Sequence, residues 1–219
     1  MSDIVQQPWL TGMEAEQRAR DRSQFFTPPD LATRMWRWAI GLTDASPVPQ
    51  RHALSVLEPS AGRGALIRPI LEEPYGCGRV VAVEADPRHV EELTGLARAS
   101  AVPMVVDGAD CLSCVDLGTF DLALMNPPFE NGGMTRFPEH ALRFARRCVS
   151  LSPASIFFSE GRADFWRWHD VARGVRFASR PQFGGDFSPA TDFVLLELVR
   201  RQMPRRQDDA TVESWEWWS

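Results

Sequence analysis

Across residues 53–199, short apolar runs alternate with stretches of helical period. Residues 53–58, 79–84, 104–107 and 120–125 read as four strands, and 154–159 as a fifth. Residues 175–178 and 191–199 read as the sixth and seventh. Between them, 65–73, 87–100, 137–149 and 161–171 have helical character. The second of these carries Val90, Leu93 and Leu96, and the last carries Trp166 and Trp168. Ahead of the alternation, residues 29–42 hold Leu31, Met35, Trp36, Trp38 and Ala39, with pairs at the i, i+4 spacing of one helix face. Thr27 or the residues just after it are placed to cap that helix, and Pro is tolerated in its first turn.

Residues 120–125 are nearly all apolar, which predicts a central strand covered on both faces. Repeated strand–helix alternation predicts an α/β fold with a mostly parallel sheet and helices on both sides. No crossover helix fits between the last two runs, so they are expected to form an antiparallel pair. The last strand of a seven-stranded sheet is then antiparallel. The segment 202–219 is polar and then turns tryptophan-rich at Trp215, Trp217 and Trp218, and composition does not decide its order.

Length and charge narrow the function. The chain has 219 residues, enough for one domain. Its formal net charge is −5, which excludes coating nucleic acid by bulk charge, since phosphate binding draws on basic residues. Every basic side chain apart from His is Arg, because the chain contains no Lys. A phosphate-loop lysine and a Schiff-base lysine are therefore excluded. No apolar run approaches the roughly 18 residues of a membrane span. Residues 1–20 are polar without a signal-peptide core, so a cytoplasmic protein with no membrane partner is expected. Cys111 and Cys114 have C-x-x-C spacing, but no second pair follows to complete a zinc site. The expectation is free thiols and no metal.

Three constellations carry chemistry. At the end of the first strand stands Glu58-Pro59-Ser60-Ala61-Gly62-Arg63-Gly64, followed by a helix. In open α/β sheets ligands bind outside the carboxyl ends of strands, and Gly62 and Gly64 allow a sharp turn close to a ligand. The acidic Glu58 suits a cationic ligand better than a pyrophosphate. At the end of the second strand, Glu84 can accept from a ribose diol. After the buried fourth strand comes Asn126-Pro127-Pro128-Phe129. Its two prolines fix the backbone and remove two donors, leaving the Asn126 side chain and the Pro127 carbonyl as acceptors beside the flat Phe129 ring. An exocyclic amine suits that corner.

The combination resembles the S-adenosylmethionine-dependent N6-adenine DNA methyltransferases. The resemblance rests on Gln24-Phe25-Phe26-Thr27-Pro28-Pro29, on the segment from Glu58 to Gly64, on Val83-Glu84, and on Asn126 to Phe129. The Asn-Pro-Pro-Phe segment is shared with methyltransferases acting on amines of RNA bases and, with Tyr last, on protein glutamine. The segment from Gln24 to Pro29 points to DNA. The resemblance implies a class I methyltransferase Rossmann-like fold. It divides the chain into an N-terminal extension at 1–23, a catalytic domain at 24–201 and a C-terminal tail at 202–219.

By position, the resemblance implies that Phe26, Thr27 and Pro28 close over the methionine end of the cofactor. Glu58, Pro59, Ser60, Ala61, Gly62 and Gly64 surround its amino acid part. Glu84 holds the ribose hydroxyls and Ala85 lines the adenine. Asp110, or Asp107 as the alternative, accepts from the adenine amine. Cys111 stands where members often have an aromatic. Asn126 and Pro127 then hold the two hydrogens of the target amine, so that its lone pair faces the sulfonium methyl.

A duplex base cannot reach such a corner, so DNA is expected to present a flipped-out or single-stranded adenine, stacked on Phe129. Arginines at 143–147, 162–180 and 200–206 are candidates for phosphate contacts and equally for a solvated face. About twenty residues follow the last strand, too few for a separate target-recognition region. Low sequence specificity, reading by loops at 131–138 and 182–190, or a specificity partner or homodimer would each account for that. The alternatives to DNA are RNA base amines or protein glutamine as substrate. A catalytically silent binding subunit is the third reading.

Overall fold

The computed structural model describes residues 26–42, 53–73, 76–183, 191–204 and 214–218. Gln24, Phe25, Arg205, Arg206, the N-terminal extension and most of the loop at 182–190 lie outside the described residues. One sheet of eight strands organises them, in the spatial order β3-β2-β1-β4-β5-β7-β6-β8. The strands are β1 (Leu54–Glu58), β2 (Cys77–Val83), β3 (Met104–Asp107), β4 (Leu122–Met125), β5 (Cys148–Pro153), β6 (His169–Phe177), β7 (Phe193–Arg200) and β8 (Trp215–Trp218). The helices are α1 (Pro29–Ala39), α2 (Ile67–Glu72), α3 (Pro87–Ala99), α4 (Gly133–Ala141) and α5 (Ala163–Trp168). β1 through β5 are parallel, and β7 runs antiparallel to both β5 and β6.

β4 shows why its sequence is a continuous apolar run. Leu122 and Leu124 join one core, with Met35 and Trp36 of α1 and Ile67 and Ile70 of α2. Ala123 and Met125 join the other, with Ala141 of α4 and Phe165 and Trp166 of α5. Successive strand residues point to opposite faces, so a strand covered on both sides needs every position apolar. The chain order steps outward from β1 to β3, then returns to place β4 on the other side of β1. That reversal opens a crevice at the carboxyl ends of β1 and β4.

Three expected elements are corrected. β5 is Cys148–Pro153, six residues earlier than expected, and Ala154–Phe157 is a 3-10 turn. Ser150 and Ser152 disguised this strand in the sequence. Both are fully buried, and their hydroxyls satisfy each other at 3.2 Å. The helix expected over 137–149 is α4, which starts at Gly133 and ends at Ala141. α5 stops at Trp168, because His169 and Val171 already belong to the buried face of β6.

The tail adds an eighth strand to the expected seven, pairing parallel with β6. Trp218 lies edge-on to Trp38, and Trp38 Nε1 donates to Glu216 Oε1 at 2.8 Å. β8 thereby reaches α1. The end of α1 is held from the sheet as well: Arg147 donates to the Ala39 carbonyl at 2.7 Å and Arg173 to the Trp38 carbonyl at 3.3 Å. Cations suit a helix C-terminus, whose last carbonyls lack partners within the helix. Buried Glu197 lies between the two guanidinium groups, bonded to Arg173 and 3.5 Å from Arg147. At the other end of α1, Pro28 is the N-cap residue and supplies no side-chain cap. Thr27 does not cap the helix either, and its hydroxyl is used in the crevice.

Candidate active site

A cavity of about 670 Å³ lies at the carboxyl ends of β1, β2 and β4. Of the residues that the sequence pointed to, Phe26, Thr27, Glu58, Pro59, Ser60, Ala61 and Gly62 line it on one side. Glu84, Ala85, Asp110, Asn126, Pro127 and Pro128 complete it. Side chains as far apart as Thr27 and Asn126 thus share one wall. Pro28, Gly64, Phe129 and Asp107 are not among the lining residues. Gly64 instead packs the turn against α3: a Cβ there would stand 2.9 Å from Leu96 and 3.1 Å from Leu93, at a φ of +79°. The Phe129 ring rests on Phe193, centroids 5.5 Å apart, and touches both cores.

The floor is acidic. Glu58 is 2% exposed at the end of β1, and among the described residues its Oε1 has no hydrogen-bond partner. Burial pushes the Glu58 carboxyl well above the usual carboxylate range, opposed by the Ser60 backbone N–H and assisted by the Glu84 charge. The Ser60 hydroxyl is likewise buried without a partner among the described residues. Glu84 is braced by the turn: Oε2 accepts from the Gly62 N–H at 2.6 Å and Oε1 from the Asp86 N–H at 2.8 Å. Each carboxylate oxygen keeps a lone pair for a further donor. Glu84 therefore serves two purposes, fixing the Gly62 turn and presenting acceptors to the cavity.

The raised Glu58 pKa makes a prediction about stability. A carboxyl whose folded pKa lies above its unfolded value contributes most below the unfolded pKa, and that contribution is lost as pH rises through the folded pKa. Glu58→Gln carries no such charge. Its Tm relative to wild type is expected to rise as pH goes from 4 upward, then level off above the folded pKa. A Tm difference that stays flat with pH would mean that Glu58 is solvated as a carboxylate.

The opposite wall is the diproline corner. Asn126 follows the buried end of β4, and its Nδ2 donates to Thr27 Oγ1 at 3.0 Å. The Pro127 ring is buried and Pro128 is exposed. Gly133, the first residue of α4, lies against this corner so closely that a Cβ would stand 2.0 Å from the Pro128 carbonyl oxygen. Sequence reasoning missed Gly133. The signal was the Gly132-Gly133 pair four residues beyond Pro128, where a helix begins against a rigid loop.

It also missed His89, 5% exposed in the first turn of α3, whose Nδ1 lies 4.0 Å from Glu84 Oε1. The first turn of a helix after β2 faces the strand ends, so that position was legible in principle. Asp110 caps the 3-10 turn Cys111–Ser113 through the Leu112 N–H at 3.0 Å. Beside it, burial pushes the Cys111 thiol up to about 12, so it is protonated at neutral pH.

The lining combines a buried acidic group at Glu58, a braced carboxylate at Glu84 and the Asn126 amide bonded to Thr27. Such a lining suits a ligand that carries a cationic group and hydroxyls.

Neither a family model nor a curated protein matches the sequence. Solved structures match the fold. A Listeria monocytogenes protein, provisionally described as a class I S-adenosylmethionine-dependent methyltransferase, superposes with a TM-score of 0.61 at 13% identity over 86% of this chain. A Pyrococcus horikoshii protein, provisionally described as an RNA methyltransferase, gives 0.63 at 19% over 81% of this chain and 86% of its own. A dimethyladenosine transferase from Plasmodium falciparum gives 0.55 at 17% over 82%. This chain spans 64% of the length of the Listeria protein and 64% of the Plasmodium one. The chain has the class I methyltransferase Rossmann-like fold, a mixed α/β sheet with one strand antiparallel to its neighbours. No helix among the described residues is long and apolar enough to cross a membrane.

Proposed function

We propose that this chain transfers a methyl group from S-adenosylmethionine to the N6 amine of an adenine in DNA. The observation that carries the reading is one cavity wall: Asn126 at the end of β4, pinned by Thr27 and flanked by the Pro127 carbonyl. S-adenosylmethionine supplies an electrophilic methyl on a positively charged sulfur. The residues present fit it, because Glu58 Oε1 and Ser60 Oγ are buried polar atoms awaiting partners at the acidic end. Glu58 and the Ser60–Gly62 turn would hold its amino acid part, Glu84 its ribose, and Ala85 and Asp110 its adenine. A cationic ammonium beside Glu58 favours the ionised carboxyl, so binding releases a proton wherever free Glu58 is still protonated.

The chain's own work is on the amine. An exocyclic amine is a weak nucleophile because its lone pair is delocalised into the ring. Asn126 Oδ1 and the Pro127 carbonyl accept its two hydrogens and draw the nitrogen toward a tetrahedral shape. The lone pair is then aimed away from both acceptors. Methyl transfer leaves the nitrogen with a surplus proton, which passes to solvent. Orientation and placed dipoles supply the acceleration, and no nucleophilic side chain is needed.

DNA is favoured by the segment from Gln24 to Pro29. RNA as substrate is the second reading, favoured by the description of the Pyrococcus neighbour as an RNA methyltransferase. Methyl transfer from tritiated cofactor to DNA, RNA and protein in parallel, followed by nucleoside digestion, tests both. Label in N6-methyldeoxyadenosine is expected. Background counts in DNA beside strong counts in RNA would overturn the first reading in favour of the second.

A further inference from the structure

We propose that Thr27 is a positioning residue that sets which face of the Asn126 amide meets the substrate; this rests on the reading of Asn126 given above. The two residues are 99 positions apart and meet through one bond, Asn126 Nδ2 to Thr27 Oγ1, at 3.0 Å. Thr27 is 5% exposed, so water does not compete for its hydroxyl. A primary amide is nearly symmetric in shape but opposite in chemistry at its two ends. With Nδ2 committed to Thr27, Oδ1 is the end that faces an incoming amine. The reversed amide would present a donor to that amine and repel it.

The backbone holds Thr27 in place for this task. Pro28 and Pro29 follow it and restrict the chain. The Ala32 N–H donates to the Pro28 carbonyl at 2.9 Å, tying the segment into α1. α1 is anchored at its far end by Arg147 and Arg173, and midway by Trp36 Nε1, which donates to the Glu73 carbonyl at 3.1 Å. Phe26, one residue before Thr27, is held edge-on against His89 with centroids 6.1 Å apart. A hydroxyl on so constrained a segment gives the Asn126 amide a fixed partner about its last torsion.

Two variants test the assignment. Thr27→Val keeps the shape and removes the acceptor; Thr27→Ser keeps the acceptor. For Thr27→Val, kcat is expected to fall about tenfold or more, as for a buried polar group deprived of its partner. The Kd for S-adenosylhomocysteine, measured by calorimetry, rises by much less than kcat falls, because Thr27→Val still closes over the methionine end. Thr27→Ser restores kcat to within about threefold of wild type. A second readout needs no turnover. In nitrogen-15-labelled protein, the Asn126 side-chain amide hydrogens exchange slowly with water in wild type and Thr27→Ser, and faster in Thr27→Val.

Equal exchange in all three proteins overturns the proposal. So does a Thr27→Val that binds S-adenosylhomocysteine as much more weakly as it turns over more slowly, since Thr27 would then hold the cofactor directly. Slow exchange that depends on Thr27, in a protein that methylates nothing, leaves the contact standing and overturns the methyltransferase reading instead.

Discussion

Asn126→Ala is expected to lower methyl transfer by a hundredfold to a thousandfold while leaving S-adenosylhomocysteine affinity within about twofold. The magnitude is that of removing one placed hydrogen-bonding group from a site where charge develops, ~10²–10³ in kcat. Affinity survives because the groups proposed for the cofactor's charged and hydroxylated parts are Glu58, Ser60 and Glu84, at or just beyond the ends of β1 and β2 rather than β4. The fold survives because Asn126 lies beyond the buried Leu122–Met125 strand and is not part of either core. Single-turnover rates and calorimetry on the same preparation check it. A collapse of affinity in step with kcat would place Asn126 in cofactor binding and remove it from the chemistry.

The second large effect is expected at a residue with no functional group. Gly133→Ala puts a Cβ 2.0 Å from the Pro128 carbonyl oxygen and 3.0 Å from the carbonyl carbon. Both obstacles are backbone, so no rotamer change relieves the clash, and either the corner or the start of α4 must shift. The corner's two prolines have fixed φ and resist local adjustment. Overpacking of this kind costs about 1–3 kcal/mol. A displacement near 1 Å in the group that orients the amine costs a further ~10² in rate. The matched control is Gly95→Ala on α3, where a Cβ meets nothing within 4 Å. It is expected to keep wild-type activity and gain up to ~1 kcal/mol from helix propensity. If Gly133→Ala melts and turns over like Gly95→Ala, the close approach of α4 to the corner is not a feature of the working protein.

The difference between those two glycines marks where sequence reading stops. Both precede or interrupt helical sequence, and local pattern treats them alike. Only the packing of α4 against a loop five residues upstream distinguishes them. β5 is a similar case: Ser150 and Ser152 look polar in the chain and are fully buried in the sheet, because two hydroxyls can satisfy each other where one could not. Trp215 and Trp218 read as an undecided tail until β6 supplied an edge to pair with and α1 a tryptophan to pack on.

Local chemistry was enough for the strand–helix alternation, the buried β4, the glycine turn after Glu58, the carboxylate at Glu84 and the rigid corner after Asn126. Each depends on residues within a few positions of one another, where side-chain period, proline and glycine act directly. Tertiary structure alone decided that Thr27 meets Asn126 rather than capping α1. It also decided that Phe129 packs on Phe193, and that Glu197 draws two arginines to the end of α1. Those contacts join segments about sixty or more residues apart or depend on strand order. Hydrogen-bond partners across such distances are selected by the closing of the sheet, and nothing in the neighbouring sequence encodes them.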